Sequence, residues 1–207
     1  MIPCESQTQT MPSDATIVAA PAASAQAPEC ARRAGRDVDL NRRRLQGLRV
    51  LHVIDRLAIG GTQNLLVRTV SELERQGVES HVCVLTSREK IDNEYREPLQ
   101  PICLDFSGEY RNPWLLGRCV TRLRRVIADL QPDLVHSYLW VSDFVTSLAC
   151  RREADVHVSH IVDRRDWQAS ERLVHRLRRW VSRRAFGRAG TRFIAVSQAA
   201  KDVACEH

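Results

Sequence analysis

The feature that most constrains this chain is an alternation that begins at Arg49. Short β-branched apolar runs, of a length that suits strands buried on both faces, are separated by stretches whose apolar residues recur every three or four positions. Val50-Leu51-His52-Val53-Ile54 is the first run, and Thr62–Gln76 the first helical stretch, with Leu65, Leu66, Val70 and Leu73 as its stripe and Gly77 as its stop. His81–Leu85 and Ile102–Leu104 read as the second and third strands. Asn112 caps the next helix, Pro113 suits its first turn, and Leu116, Val120, Leu123, Ile127 and Leu130 carry the stripe to Pro132, which stops it. Then come a strand over Asp133–His136, a short helix over Ser142–Cys150, a strand over Val156–Val162, a helix over Ser170–Phe186 and a strand over Arg192–Val196. The order β-α-β-β-α-β-α-β-α-β predicts an α/β, Rossmann-like, mostly parallel sheet with right-handed crossovers and helices on both faces.

Residues 1–47 have no such period. They are rich in Ala, Pro, Ser, Gln and Arg, end in Arg42-Arg43-Arg44, and read as a disordered tail ahead of one domain over 48–207. About 160 residues bury roughly 68–70% of their unfolded surface, enough for a stable core. With 43% hydrophobic and 27% charged residues, the chain is neither wholly disordered nor collagen-like. No window approaches about 18 uninterrupted apolar residues, which excludes a membrane-spanning helix but not a helix lying on a membrane surface. The seven cysteines are odd in number, irregular in spacing and never Cys-x-x-Cys, which argues against a disulfide framework and a zinc site. Met1–Ala20 lacks the basic start of a secretory signal. A reducing, cytoplasmic setting is expected.

The formal charge of +6 is concentrated: residues 111–192 hold 17 of the 31 basic groups against 8 acidic ones. Nearly all are arginine, which fits either codon composition or selection for bidentate phosphate contacts. Aromatic and basic residues are not interleaved and no nucleic-acid motif is present, so no specific nucleic-acid partner is expected. In Ser170–Phe186, Leu173, Val174, Leu177, Trp180 and Val181 share one side, while Arg172, Arg176, Arg178, Arg179, Arg183 and Arg184 crowd the rest. Such a helix suits peripheral contact with an anionic membrane; the same stripe would equally cover the sheet and leave the arginines solvated.

In an open parallel sheet the ligand crevice lies outside the C-terminal strand ends, so the residues just after each strand carry the chemistry. After the first strand, Asp55–Gln63 contains Gly60-Gly61 at the start of a helix, whose free N–H groups suit a phosphate; a plain strand-to-helix turn is the alternative. The dinucleotide fingerprint, the Walker loop and the Gly-x-Ser-x-Gly elbow are all absent. After the fourth strand, His136-Ser137-Tyr138-Leu139-Trp140 brings an imidazole, a phenol and an indole to the crevice mouth. His136 would bind or deprotonate a hydroxyl, or is simply a hydrogen-bonded strand-end histidine. After the fifth strand, Asp163-Arg164-Arg165-Asp166-Trp167 sets charge beside an aromatic face, as for a sugar or phosphate, or forms a solvated ion-pair loop.

Four segments, Arg49–Asp55, Ile59–Gln63, Pro132–Trp140 and Phe193–Asp202, resemble in order and spacing the N-terminal domain of family 4 glycosyltransferases of the GT-B fold. The resemblance covers Arg49 to His207. It implies an enzyme of two Rossmann-like halves, a hexosyltransferase that moves sugar from a nucleotide-sugar to a glycan or lipid-linked acceptor, as in polysaccharide or lipopolysaccharide synthesis, without metal or cofactor. This half would supply the acceptor site, and a separate C-terminal half the donor site. Carried over by position, Gly60, Gly61 and Thr62 lie by the donor phosphates, His136 is catalytic, and Gln63, Tyr138, Trp140, Asp163, Arg164 and Trp167 face the acceptor; Ser197 matches the serine that ends the sixth strand. Thr62 and Gln63 stand where the family commonly has Ala-Glu, and Tyr138 replaces the second histidine of His-x-His, so that position loses its base. Ser197–Asp202 opens another helix shortly before His207, an unusual end for such a sheet, and the Glu-x7-Glu motif of the donor half is absent beyond it. Glu89 and Glu97 have that spacing but fall between the second and third strands. The other reading is a truncated, inactive remnant that serves as a glycan- or membrane-binding module.

Overall fold

The computed structural model describes residues 45–107, 112–150, 156–162 and 173–205. Six strands form one all-parallel sheet: β1 Arg49–Ile54, β2 Glu79–Val84, β3 Ile102–Cys103, β4 Leu134–Tyr138, β5 His157–Ile161 and β6 Arg192–Ala195, in spatial order β3-β2-β1-β4-β5-β6. Among the described residues six α-helices accompany them: α1 Gly61–Arg75, α2 Asn93–Leu99, α3 Pro113–Leu130, α4 Trp140–Ala149, α5 Leu173–Ala189 and α6 Gln198–Cys205.

Alternate residues of each strand serve opposite faces. On one face Ile54, Val82, Val84 and Tyr138 pack under Leu66 and Val70 of α1 and Tyr95 of α2. On the other, Leu51, Val53, Cys83 and Val135 meet Cys119 and Leu123 of α3 and Val145 and Ala149 of α4. Both faces of the central strands are covered, which is why their sequences read as nearly continuous apolar runs.

The helix signals act as their chemistry dictates. The Asn112 side chain accepts from the Trp114 and Leu115 amides at 3.0 and 3.4 Å, and Pro113 occupies the first turn. Helix α3 ends at Gln131, in the left-handed region with φ of 47°. Helix α1 ends in a Schellman motif: Val78 N–H reaches the Leu73 carbonyl at 3.0 Å, and Gly77 N–H the Glu74 carbonyl at 2.9 Å. Gly77 has φ of 87°, a conformation that glycine adopts without strain.

The helix α2, between β2 and β3, is absent from the expected order. It spans one buried residue, Tyr95, and contains Pro98, so it has no periodic stripe to read. Its place is set from outside, by Tyr95 packing and by the Tyr95 hydroxyl donating to Asn64 Oδ1 at 3.0 Å. The helix expected over Ser170–Phe186 is observed over Leu173–Ala189, while 170–172 lie outside the described residues. The helix opening after Ser197 is α6, whose Ala200 amide donates to Ser197 Oγ at 3.2 Å.

Candidate functional site

The strand order reverses direction between β1 and β4, so the crevice of this sheet opens where those strands end. Beyond β1 the chain runs through Asp55–Gly60 into α1. The loop is pinned at Ile59, whose amide donates to Asp92 Oδ2 at 2.7 Å, while the Asp92 amide donates to the Leu57 carbonyl at 2.9 Å. Helix α1 starts without a side-chain cap and without an acid in its first turn. Its positive end is therefore uncompensated within the helix, the arrangement that favours an anion.

The two glycines differ in purpose. Gly60 has extended backbone that any residue adopts, but a β-carbon there would stand 2.6 Å from Oε1 of Gln63. Gln63 is buried, folded back beneath the turn, and donates through Nε2 to the Arg56 carbonyl at 3.2 Å. At Gly61, by contrast, a β-carbon would meet nothing within 4 Å, and Thr62 beside it is partly exposed. Gly60 makes room for protein; Gly61 leaves open space at the helix end. Gln63, expected to face the acceptor, is a structural clasp of the turn.

At β4 the alternation divides the cluster. His136 and Tyr138 point to the α1 face, where the β1 register places His52 opposite His136 and the β5 register places His160 opposite Tyr138. The ring centroids of His136 and Tyr138 are 4.4 Å apart, and His160 stacks on His136 at 5.3 Å with an interplanar angle of 10°. The Tyr138 hydroxyl lies 3.1 Å from Nδ1 of His136 and 3.2 Å from Nδ1 of His52. Burial pushes His52 down to about 4. His136 falls to about 3, through burial first and then the like charges of His52, His160 and His157. These rings are neutral at physiological pH, and burial also raises the Tyr138 phenol. Among the described residues, no group of three or more His, Cys, Asp or Glu is arranged to hold a metal ion.

Ser137 points the other way. Its hydroxyl lies 2.5 Å from Asp143 Oδ1 and 2.8 Å from His157 Nε2, and His157 Nδ1 lies 2.8 Å from Thr191 Oγ1. Ser137, Asp143 and His157 resemble a hydrolytic triad in type, yet all three are buried, so the network ties β4, β5 and α4 to the turn before β6. Between the two clusters, Leu139 caps α4 with φ of 71°, a strained conformation for a branched residue. Ser142 Oγ donates to the Tyr138 carbonyl, and the Asp143 amide to the Leu139 carbonyl at 2.9 Å, which holds that turn in place.

The expected phenol and indole at the crevice mouth are thus corrected. Tyr138 is fully buried, and Trp140 stacks on Phe144 at 5.4 Å within a core cluster that includes Ala185. Strand alternation and the helix start at Trp140 turn both side chains inward. Asp163, Arg164 and Trp167 lie outside the described residues. His52, His160, His157 and Asp143 went unnoticed in the sequence; the readable signal was the period of two, which puts His52 and His136 on one face once β1 pairs with β4.

Residues 59–207 match Glycosyltransferase Family 4. The chain belongs to this family. The match starts at the Ile59-Gly60-Gly61 turn and takes in β2 to α6. No curated protein sequence matches the chain. Among solved structures, a UDP-N-acetylglucosamine 2-epimerase aligns over 77% of this chain and 45% of its own, at 18% identity and a TM-score of 0.58. The UDP-GlcNAc 2-epimerase from Neisseria meningitidis bound to UDP-GlcNAc aligns over 77% and 43%, at 15% identity and a TM-score of 0.56. A third, from Rickettsia bellii, aligns over 77% and 41%, at 13% identity and a TM-score of 0.53. At such identities the likeness shows the fold. This family 4 chain spans less than half the length of each of these three proteins.

Proposed function

We propose that this chain is the acceptor-binding half of a GT-B glycosyltransferase, and that its reaction moves a sugar from a nucleotide-sugar to a glycan or lipid-linked acceptor. The observation that carries the reading is the family match over 59–207, laid on a sheet whose reversal point joins the uncapped start of α1 to a cluster of neutral histidines. A nucleotide-sugar is also the ligand of the Neisseria epimerase with this fold.

The half would act by holding an acceptor hydroxyl against the sugar carbon, with donor-binding residues outside these 207 positions completing the site. Charge developing on the leaving diphosphate is stabilised chiefly from the donor side, with the Gly61 and Thr62 amides assisting. A protein stabilising the diphosphate this way needs no metal. His136 meets the hydroxyl, with Asp163, Arg164 and Trp167 on the acceptor side. Tyr138 supports His136 directly, while Gln63 holds the turn before α1.

A cytoplasmic enzyme at the inner membrane face fits a lipid-linked acceptor. No helix among the described residues is long and apolar enough to cross a membrane. Helix α5 buries Ala185, Phe186 and Ala189 and partly buries Val181, so its apolar side belongs to the core. Trp180 stays 55% exposed, with the Arg184 guanidinium 4.9 Å from its ring centre, and Arg183 is exposed too. That side is the one for peripheral membrane contact.

Saturation-transfer NMR on the full chain, with a panel of oligosaccharides, polyprenyl-linked glycans and nucleotide-sugars, tests the reading. Glycans should receive saturation and nucleotide-sugars should bind weakly or not at all. Tight binding of a nucleotide-sugar by this chain alone, or no response from any glycan, would overturn the assignment as an acceptor half.

A further inference from the structure

Helix α3 presents an outer stripe that the fold does not use. Its inner side, Cys119, Val120, Leu123 and Ile127, belongs to the core. On the outside, Trp114, Gly117, Arg118, Thr121, Arg122 and Arg125 line a concavity of about 680 Å³, within the roughly 300–1,000 Å³ typical of ligand clefts. Trp114 is 82% exposed. Arg118 and Arg125 are exposed as well, and no ion pair among the described residues holds either of them. Arg122 is engaged: it donates to the Leu104 carbonyl at 2.5 Å and lies 3.6 Å from Asp105. Among the described residues, no acidic side chain lines the concavity. A glycine in an exposed helix interior weakens the helix relative to alanine. Yet a β-carbon on Gly117 would meet nothing within 4 Å, so no protein neighbour requires the space it leaves beside Trp114 and Arg118. The Thr121 hydroxyl donates to the Gly117 carbonyl at 2.9 Å, which leaves its lone pairs to accept from a ligand.

We infer that this groove binds an anionic oligosaccharide, with the Trp114 indole under a sugar ring and Arg118 and Arg125 on acidic groups carried by successive units. A broad indole face suits the apolar side of a sugar, and a guanidinium grips an oxyanion through two N–H donors. Positions 118 and 125 are two turns apart, about 10 Å along the axis, too far for a single phosphate to bridge but within the span of a chain. A lipid surface is the poorer match. The stripe holds one apolar side chain, and the apolar side of α3 is already in the core, so little of the helix could enter a membrane. In a βαβ crossover the helix begins at the carboxyl end of the strand before it, so Trp114 stands at the crevice end of the sheet and the two arginines lead away from it. That the bound chain is the distal part of the acceptor rests on the proposed function; that the groove takes an anionic oligosaccharide does not.

The experiment titrates the 15N-labelled full chain with tetragalacturonate, with its carboxyl-reduced neutral counterpart and with inorganic phosphate, followed by calorimetry and by the 1H–15N signals of the Trp114 indole and the Arg118 and Arg125 Nε–H groups. The uronide should bind and move all three signals, and the neutral chain should bind at least about tenfold more weakly. Arg118→Gln/Arg125→Gln should abolish the difference between the two chains. Gly117→Leu fills the groove, and should weaken both at least about tenfold without lowering the thermal midpoint, because leucine is the better helix former. These side chains are on the surface, so circular dichroism should be unchanged in every variant. No binding of the uronide, equal affinity for the neutral chain, variants that bind as the wild type does, or the same shifts with phosphate alone would overturn the proposal. Attachment to anionic vesicles that needs both arginines, without binding of the uronide, would overturn it in favour of a lipid surface. Uronide bound along α3 while no glycan of the saturation-transfer panel responds at the β1 and β4 ends would instead count against the functional reading and leave the groove standing.

Discussion

A β-carbon on Gly60 would stand 2.6 Å from the side-chain oxygen of Gln63, and one on Gly61 would touch nothing. The double glycine is therefore two separate requirements. Gly60→Ala should push the Gln63 amide off the Arg56 carbonyl and cost about 1 kcal/mol, the net worth of one hydrogen bond. Gly61→Ala should leave stability unchanged or raise it by up to about 1 kcal/mol, because alanine is the better helix former. Urea midpoints of the two variants check this, and equal losses would refute the division of roles.

The buried histidines make the fold acid-sensitive. The folded state holds His52, His136 and His157 at about 4, about 3 and about 4, mainly through burial. An unfolded chain takes up these protons below about 6.5, so the stabilisation is whole above that value and is lost as pH falls toward about 4. Each ring contributes at most about 1.4 kcal/mol per pH unit across this window. The urea midpoint should drop between about pH 7 and about pH 5, and the drop should shrink in His157→Gln. A midpoint that stays constant would contradict neutral burial.

The cap of α3 is a single side chain. Asn112→Ala removes the acceptor for the Trp114 and Leu115 amides and should cost about 1 kcal/mol, whereas Asn112→Ser should retain most of it. Thermal unfolding of the pair is the measurement, and an alanine variant as stable as the serine one would deny the cap a role.

Ser137→Ala takes away the hydroxyl between Asp143 and His157, and so leaves the buried His157 Nε2 without that partner. A loss of about 1–3 kcal/mol is expected, as for a buried polar group left unsatisfied. Chemical denaturation gives the value; a loss within experimental error would mean that the network reorganises around alanine.

Membrane contact through α5 has an electrostatic signature. Sedimentation with vesicles should show attachment to anionic but not neutral lipids, weaker at high salt and weaker again in Arg183→Gln/Arg184→Gln, on a scale of about 1 kcal/mol per arginine near the surface. Equal binding to both lipids would dismiss this contact.

The parallel α/β architecture, five of its helices and all six strands could be read from the residues, because the signals behind them are local. Apolar periodicity, the Asn112 cap, the Gly77 stop and Pro132 act within a few positions of where they stand. The residues just after β1 and β4 were also locatable, since that crevice follows from the sheet class. Tertiary structure alone decided which of them are open. Tyr138 and Trp140 look like surface groups beside His136, yet strand alternation and a helix start bury both. Helix α2 needed Asn64 and the face of α1 to exist at all. His52 meets His136 only because β1 pairs with β4 in one register, across a sequence separation of 84 positions that no local pattern spans. Periodicity along the chain states which side of an element is apolar. What that side meets, and which polar atoms are left without a partner, depends on contacts between segments far apart in sequence.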